Sequence, residues 1–270
     1  MRSARAQTSF YQQPFGGAAT YRLKTLETDA NAIKAALLLN EETGEARYLA
    51  DARLRYDAVR RHYLDPQVPL YSVYVFDDGA RCTQVPHRFY ASVNGLMIWN
   101  GLALARATGS AAYRADAVAT AKAFATRMND DRGIFADLQA ENDVVAPLIE
   151  AMYGLARAGG EGGGVARAWI VRNAGAALAN RKADGSFGRF FDGPAVGAAT
   201  TSLQTNGGYA LAVAAAALAP GGRVEPGAVR LYRFADRGNR QHWRALLRGG
   251  ARARPVGRRR DVRLARRVAE

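Results

Sequence analysis

The chain has 270 residues, a net charge of +14 and a hydrophobic content of 49%, which together allow one large globular domain with a sizeable core. Its single cysteine, Cys82, excludes an internal disulfide framework and a zinc site built on paired cysteines. The three histidines (His62, His87 and His242) are scattered along the chain, so we predict neither a metal site nor a cofactor.

The positive charge is concentrated at the C-terminal end. From Gly221 onward there are 15 arginines, no lysine and four acids, a net charge of +11, which leaves +3 for the rest of the chain. This tail could bind nucleic acid or could be a disordered, solvated extension. We favour a third interpretation, a segment read out of frame, because a GC-rich gene in the wrong frame yields Arg, Gly, Ala and Pro without Lys. We therefore do not expect a nucleic-acid partner.

The N-terminal segment and the hydropathy of the chain indicate its cellular location. Residues 1–20 look irregular, and the basic residues of Met1–Phe10 are not followed by an apolar run, so this start is not a secretory signal as written. No stretch is long and apolar enough to span a bilayer. We predict a cytoplasmic location for the chain as written, with an irregular segment 1–20, a helical domain 21–220 and a basic low-complexity tail 221–270.

A helical pattern recurs after 65 residues. The pair Thr43–Gly44, followed by Tyr48, has its counterpart in Thr108–Gly109 followed by Tyr113. Self-similarity at a fixed period of this size is typical of an array of helical hairpins. The sequence therefore predicts repeated helix pairs that can form a ring or an arc around a cleft.

The hairpins follow one another in chain order. Apolar inner helices are predicted over Ala30–Leu39, Asn94–Arg106, Asn142–Ala156 and Tyr209–Leu218. Amphipathic outer helices are predicted over Ala52–Tyr63, Tyr113–Met128 and Ala166–Asn180. No outer helix is predicted for the fourth hairpin, because a glycine-rich segment that starts at Gly221 takes its place in the sequence. We expect an all-α protein, an incomplete (α/α) toroid of about three and a half hairpins with a disordered Arg-rich tail.

Polar residues gather where the inner helices begin. In a ring of antiparallel hairpins all the inner N-termini lie on one rim, which here would carry Glu27, Asp29, Asn31, Asn94, Glu141, Asn142, Asp143, Gln204 and Asn206. Side-chain capping of the helix N-termini would explain each cluster singly. The alternative is a groove whose carboxylates and amides bind the hydroxyl groups of a sugar.

The connections that return to this rim are long and rich in aromatic residues, over 69–90, 133–137 and 184–194. Their rings, Phe190 among them, could stack on sugar rings or could cover the core as plugs. Hydrolysis of a glycosidic bond typically needs two carboxyl groups on either side of that bond. Asp77 and Asp78 form an adjacent acid pair on the first of these connections.

These motifs resemble those of the bacterial members of glycoside hydrolase family 76, endo-α-1,6-mannanases with a six-hairpin (α/α)6 barrel. The segments 29–33 and 43–48 are similar to the family's third hairpin, and Ser92–Gly95 with Arg106–Gly109 is similar to its fourth. The segments 172–174, 184–188, 193–194 and 204–205 are similar to its fifth hairpin and the run into its sixth. The resemblance covers roughly residues 25–218.

The resemblance implies hydrolysis of an α-linked, mannan-like polysaccharide and no cofactor, and full-length members are usually secreted or periplasmic. The family's two catalytic aspartates are consecutive in its second hairpin, which has no counterpart here, so we expect a catalytically weak or inactive fragment. If the chain is active, we predict Asp29 and Asp78 as the catalytic acids. The predicted substrate-binding residues are Asn94, Glu141, Asn206 and Phe190. The alternative is a non-catalytic scaffold that binds glycan or protein on its concave face.

Overall fold

The computed structural model describes residues 23–77, 80–85, 88–135, 145–183, 185–187, 190–191 and 202–219. The helices of these ranges are α1 (Leu26–Thr43), α2 (Ala46–Tyr63), α3 (Ala91–Thr108), α4 (Ala111–Arg127), α5 (Ala146–Ala158), α6 (Gly163–Ala179) and α7 (Ser202–Leu218). None of the helices within these ranges has the length and hydropathy needed to cross a bilayer. The predicted segments 1–20 and 221–270 lie outside the described residues.

The helices form two layers. The inner helices α1, α3, α5 and α7 pack side by side in chain order, and the outer helices α2, α4 and α6 each pack on the inner helix that precedes them. The buried side chains form two hydrophobic clusters, one centred on the first hairpin and one on the later hairpins, and the Trp99 ring packs against both. This arrangement confirms the predicted all-α toroid of helical hairpins.

The 65-residue period holds in the structure residue by residue. Helices α1 and α3 each have 18 residues and begin and end at equivalent positions. Both are closed by a left-handed glycine, Gly44 with φ of 73° and Gly109 with φ of 71°, a conformation that glycine adopts without steric cost. In both helices the preceding threonine hydroxyl donates to a carbonyl one turn earlier.

Equivalent turns follow the outer helices α2 and α4. The Asp65 carboxylate accepts hydrogen bonds from the backbone amides of Gln67 and Val68, at 2.8 and 3.0 Å. The Asp130 carboxylate does the same for two backbone amides of its own turn. An isolated β-bridge closes each turn, one of them between Leu64 and Tyr71. The two carboxylates thus stabilise the turns in which they lie.

A three-stranded antiparallel sheet was not predicted. It consists of β1 (Leu23–Thr25), β2 (Tyr74–Asp77) and β3 (Cys82–Gln84), with β2 in the centre. The sheet leads directly into α1, whose first backbone amide, that of Leu26, donates to the Val73 carbonyl at 2.8 Å. Part of the connection that was predicted to be an aromatic loop therefore forms two strands, and β2 pairs with the strand that leads into the first hairpin.

The predicted capping residues lie inside their helices. The N-cap of α1 is Thr25, and α3 follows Tyr90, so Asp29 and Asn94 each lie about one turn within a helix. Helix α7 starts at Ser202 and therefore includes Asn206. Capping does not explain these polar residues.

Candidate functional site

Asp29 lies in the fourth position of α1, and only 2% of its surface is exposed. Its Oδ1 lies 3.9 Å from Nη1 of Arg55, whereas its Oδ2 has no hydrogen-bond partner. Burial raises the pKa of Asp29 to about 6, and the positive charges of Arg55 and Lys24 oppose this rise. A carboxyl group of this kind can hold a proton near neutral pH, as a general acid must.

Asn94 is completely buried on α3 and does not face an open groove. Its Oδ1 accepts from the Tyr71 backbone amide at 2.8 Å, and its Nδ2 donates to the carbonyls of Tyr71 and Tyr90 at 3.1 and 2.9 Å. All its polar atoms are therefore used to fix the connection that returns from the first outer helix. The structure shows Asn94 in a positioning role, and its predicted contact with a ligand stays a prediction.

Of the four remaining predicted site residues, two lie within the described ranges. Asp78 and Glu141 lie outside the described residues. Asn206 is part of α7, and Phe190 is half-buried in a bend after α6. The grouping of these residues into one site stays a prediction.

Asn173, on an outer helix, binds the backbone of a returning connection, as Asn94 does from an inner helix. Its Oδ1 accepts from the Phe135 backbone amide at 2.8 Å, and its Nδ2 donates to the Trp169 carbonyl at 2.8 Å. Asn173 is completely buried on α6. The signal in the sequence was an asparagine within an apolar helical run, but its partner 38 residues away could not be deduced from that run.

Four of the nine aromatic residues of the returning connections cover the core. They are at most 2% exposed: Tyr71, Phe135, Phe187 and Phe191. Phe135 stacks on Phe124 with ring centroids 5.7 Å apart, and Phe187 meets Tyr209 edge to face at 5.0 Å. Of the two interpretations of these rings, covering of the core is the one that applies to these four.

Asp77 and Asp130, each the first of two consecutive aspartates, are committed to local contacts. Asp77 pairs with Lys24 of the neighbouring strand at 2.5 Å. Asp130 accepts backbone amides within its turn and pairs with Arg132, and these contacts hold its pKa below its usual value. Within the described ranges no three His, Cys, Asp or Glu residues are grouped so that they could hold a metal ion.

Polar and aromatic groups meet where α1 and α3 begin. The Ser92 hydroxyl donates to Oε1 of Glu27 at 3.3 Å, which links the first turns of the two inner helices. Tyr74 and Tyr90 lie edge to face beside them, with ring centroids 6.2 Å apart. These four side chains form a partly exposed rim that offers both hydrogen-bonding groups and ring faces.

A partly buried ion pair crosses the inner layer about half-way along the helices. Lys34 of α1 pairs with Glu150 of α5 at 2.8 Å, and the Lys34 ammonium lies 4.6 Å from the ring centroid of Trp99 on α3. The two charged side chains are about one-fifth exposed. We call Lys34, Trp99 and Glu150 the inner floor. It joins three successive inner helices, and the sequence analysis had not singled it out.

Solved structures with the same fold provide the comparison. The GH76A α-1,6-mannanase of Salegentibacter sp. HEL1_6 matches 73% of the chain with a TM-score of 0.63 and 17% identity. An inactive variant of that enzyme, with two adjacent aspartates replaced, forms a complex with alpha-1,6-mannotetrose. The GH76 α-mannanase BT2949 of Bacteroides thetaiotaomicron matches 72% of the chain with a TM-score of 0.58 and 16% identity. No family model and no curated protein sequence matches the chain.

A D-mannose isomerase has a similar fold and matches 79% of the chain with a TM-score of 0.58 and 15% identity. The chain spans 60% of the length of the Salegentibacter mannanase and 53% of that of BT2949. It therefore has the helical-hairpin fold of the family 76 α-1,6-mannanases, over part of their length.

Proposed function

We propose that the chain is a glycoside hydrolase-like protein that binds an α-1,6-mannan-like polysaccharide and hydrolyses it weakly or not at all by itself. The observation that carries this proposal is the match of 73% of the chain to an α-1,6-mannanase with a TM-score of 0.63. Fold alone does not define a reaction. The proposal therefore also depends on what the residues of this chain can do.

Asp29 is the described residue best suited to donate a proton. Its raised pKa, of about 6, keeps a large share of the carboxyl protonated in mildly acidic solution. In this proposal Asp29 protonates the leaving oxygen, and Asp78 acts on the sugar carbon or on a water molecule. Because Asp29 is only 2% exposed, a substrate reaches it only after a movement of the surrounding groups, so we expect slow turnover.

The glycan would lie along the rim and the inner layer. Glu27, Ser92, Tyr74 and Tyr90 supply hydroxyl, carboxylate and ring contacts of the kind that sugars require. Glu141, Asn206 and Phe190 remain proposed contacts. Asn94 contributes indirectly in this proposal, since it fixes the Tyr71 connection beside that rim.

The second candidate is a non-catalytic scaffold that binds glycan or protein on the concave face. The inner floor favours it, because the Lys34 ammonium covers the ring of Trp99 and is already paired with Glu150. Such a floor offers a stable binding surface but no carboxyl group free to act on a glycosidic bond. This candidate predicts affinity for the ligand without turnover.

The test uses the full chain with linear α-1,6-mannan and with an α-1,6-linked mannotetraose. Calorimetry measures binding, and the release of reducing ends measures hydrolysis. Asp29→Asn and Asp78→Asn are compared with Asp131→Asn, which changes an exposed acid. Release that is lost in the first two variants and kept in the third supports the catalytic assignment.

Two other outcomes decide between the candidates. Binding without release in every form of the chain supports the scaffold. Neither binding nor release with either ligand overturns both candidates.

A further inference from the structure

Two cations of the described residues act on the Asp29 carboxyl group. Nη1 of Arg55, on α2, lies 3.9 Å from Oδ1 of Asp29, and Lys24, on β1, adds a second positive charge. A separation of 3.9 Å is too long for a hydrogen bond. Arg55 therefore lies beside Asp29 without donating to it.

Each of these cations is paired with another acid. Nε of Arg55 donates to Oδ2 of Asp51, one turn earlier on α2, at 2.8 Å. Nζ of Lys24 donates to Oδ2 of Asp77, on the neighbouring strand β2, at 2.5 Å. The side chains of Asp51 and Asp77 are 43% and 20% exposed, whereas Asp29 is 2% exposed. The two more exposed acids thus bind the cations that act on the buried one.

The polar groups that α2 and α3 add near the start of α1 carry no charge. The Tyr63 hydroxyl of α2 is buried without a hydrogen-bond partner, and burial raises the pKa of Tyr63 above its usual range, so it stays neutral. Helix α3 contributes Ser92, which donates to Glu27, and Asn100. A negative charge on Asp29 therefore depends for its stabilisation on the two cations.

A deeply buried carboxylate is costly to ionise unless a cation and hydrogen-bond donors pair with it. A cation that is already paired with a second acid stabilises the carboxylate less, because the charge of the second acid offsets its own. Oδ2 of Asp29 has no hydrogen-bond partner and could accept from the Arg55 guanidinium. The pair Asp51–Arg55 therefore competes directly with ionisation of Asp29.

We propose that Asp51 and Asp77 are positioning residues that keep the proton on Asp29, each by binding one of the two cations that would otherwise pair with its carboxylate. Asp51 acts through Arg55, and Asp77 acts through Lys24. Loss of either acid releases its cation toward Asp29 and favours the ionised form. The two acids thereby set the pH range in which Asp29 can donate a proton, and this inference rests on the proposed role of Asp29.

The test follows the side-chain carboxyl carbon of Asp29 by NMR in the full chain, labelled with carbon-13 aspartate, between pH 3 and pH 8. The signal is identified by its absence from the spectrum of Asp29→Asn. The parent chain is compared with Asp51→Asn and Asp77→Asn. Asp57→Asn, an exposed acid on the same outer helix as Asp51, is the matched control.

In the parent chain we expect the midpoint of the Asp29 titration near pH 6. Asp51→Asn and Asp77→Asn should each lower this midpoint by about one pH unit or more, because each releases a cation beside Asp29. Asp57→Asn should leave the midpoint close to that of the parent. In an Arg55→Gln chain, Asp51→Asn should change the midpoint no more than the control does, and Lys24→Gln should abolish the effect of Asp77→Asn in the same way.

Midpoints in Asp51→Asn and Asp77→Asn that equal the midpoint in Asp57→Asn would overturn the proposal. An effect of Asp51→Asn that persists in full together with Arg55→Gln would also overturn it, since Asp51 would then act on Asp29 directly. A change for one of the two acids alone would overturn the role of the other. Because the titration contains no glycan, its result is separate from the tests of binding and hydrolysis.

Discussion

Asn94 and Asn173 hold equivalent backbone amides from different helices. Asn94, on an inner helix, accepts from the amide of Tyr71, and Asn173, on an outer helix, accepts from the amide of Phe135. Tyr71 and Phe135 occupy equivalent places in their turns, each in a β-bridge with a residue near the end of the preceding outer helix. The repeat thus preserves the hydrogen bond to the returning connection while changing the helix that supplies it.

Truncation of these asparagines should be costly. Asn94→Ala leaves the buried backbone N–H and C=O groups of Tyr71 without the partners that Asn94 provides, so we expect it to reduce the free energy of unfolding by about 2–4 kcal/mol. Asn173→Ala should have a similar effect. The control is Asn31→Ala, since that side chain is exposed and bonds only within its helix. Urea unfolding measures the differences, and an Asn94→Ala chain as stable as the Asn31→Ala chain would contradict the assignment.

Asp29 should make stability depend on pH in a defined window. Its folded-state pKa, of about 6, lies above the ordinary value near 3.8, so the folded state favours the protonated form. The resulting stabilisation is complete below pH 4 and is lost as the pH rises through 6. Its size is on the order of 3 kcal/mol.

Asp29→Asn removes this titration. The variant should therefore be more stable than the parent at pH 7 and show a flatter dependence of unfolding free energy between pH 4 and pH 7. Asp131→Asn, at an exposed position, serves as the control and should leave the pH dependence unchanged. A parent chain whose stability between pH 4 and pH 7 matches that of Asp29→Asn would argue against a raised pKa.

The inner floor should couple α1 to α5. A double-mutant cycle with Lys34→Met and Glu150→Gln should give a coupling free energy of about 1–3 kcal/mol, because this pair is largely buried. The exposed pair Lys122–Glu161, at 2.7 Å, provides the comparison and should couple by about 0–1 kcal/mol. Unfolding in urea at low and high salt measures both cycles. Equal coupling in the two pairs would show that the inner floor has no special role.

The close approach of α3 and α5 depends on Gly95. A Cβ atom added there would lie 2.3 Å from the backbone nitrogen of Leu148, which cannot move without displacing α5. We expect Gly95→Ala to reduce the free energy of unfolding by about 3 kcal/mol or more.

Gly154 in α5 provides the matched control, since no atom lies within 4 Å of a Cβ added there. Gly154→Ala should stabilise the chain by about 0.5–1 kcal/mol through helix propensity. Thermal unfolding of both variants distinguishes steric from conformational effects. A Gly95→Ala chain that unfolds at the parental temperature would contradict the packing described here.

The hairpin pattern could be predicted because it depends on the local periodicity of apolar and polar residues. Apolar inner helices, amphipathic outer helices and closing glycines such as Gly44 and Gly109 follow from residues within a few turns of one another. The fold class was confirmed, and the offset between equivalent residues holds through Asp65 and Asp130.

The site was harder to predict, since its contacts join residues far apart in the chain. Lys34 is a single charge in an apolar run, and its partner Glu150 lies 116 residues away. Asn94 was predicted to cap a helix or to line a groove, and its three contacts to the backbone were not predicted.

The sequence by itself determined the helical repeat, its 65-residue period and the polar positions near the starts of the inner helices, because each depends on neighbouring residues. Only the tertiary structure decided which of those polar groups are satisfied. Asp29 and Asn94 occupy the same repeat position, yet Asn94 has the preceding hairpin's connection beside it and Asp29 retains an unpartnered oxygen. Burial and hydrogen bonding depend on which hairpins pack together. Local periodicity carries no information about which hairpin lies beside a given helix.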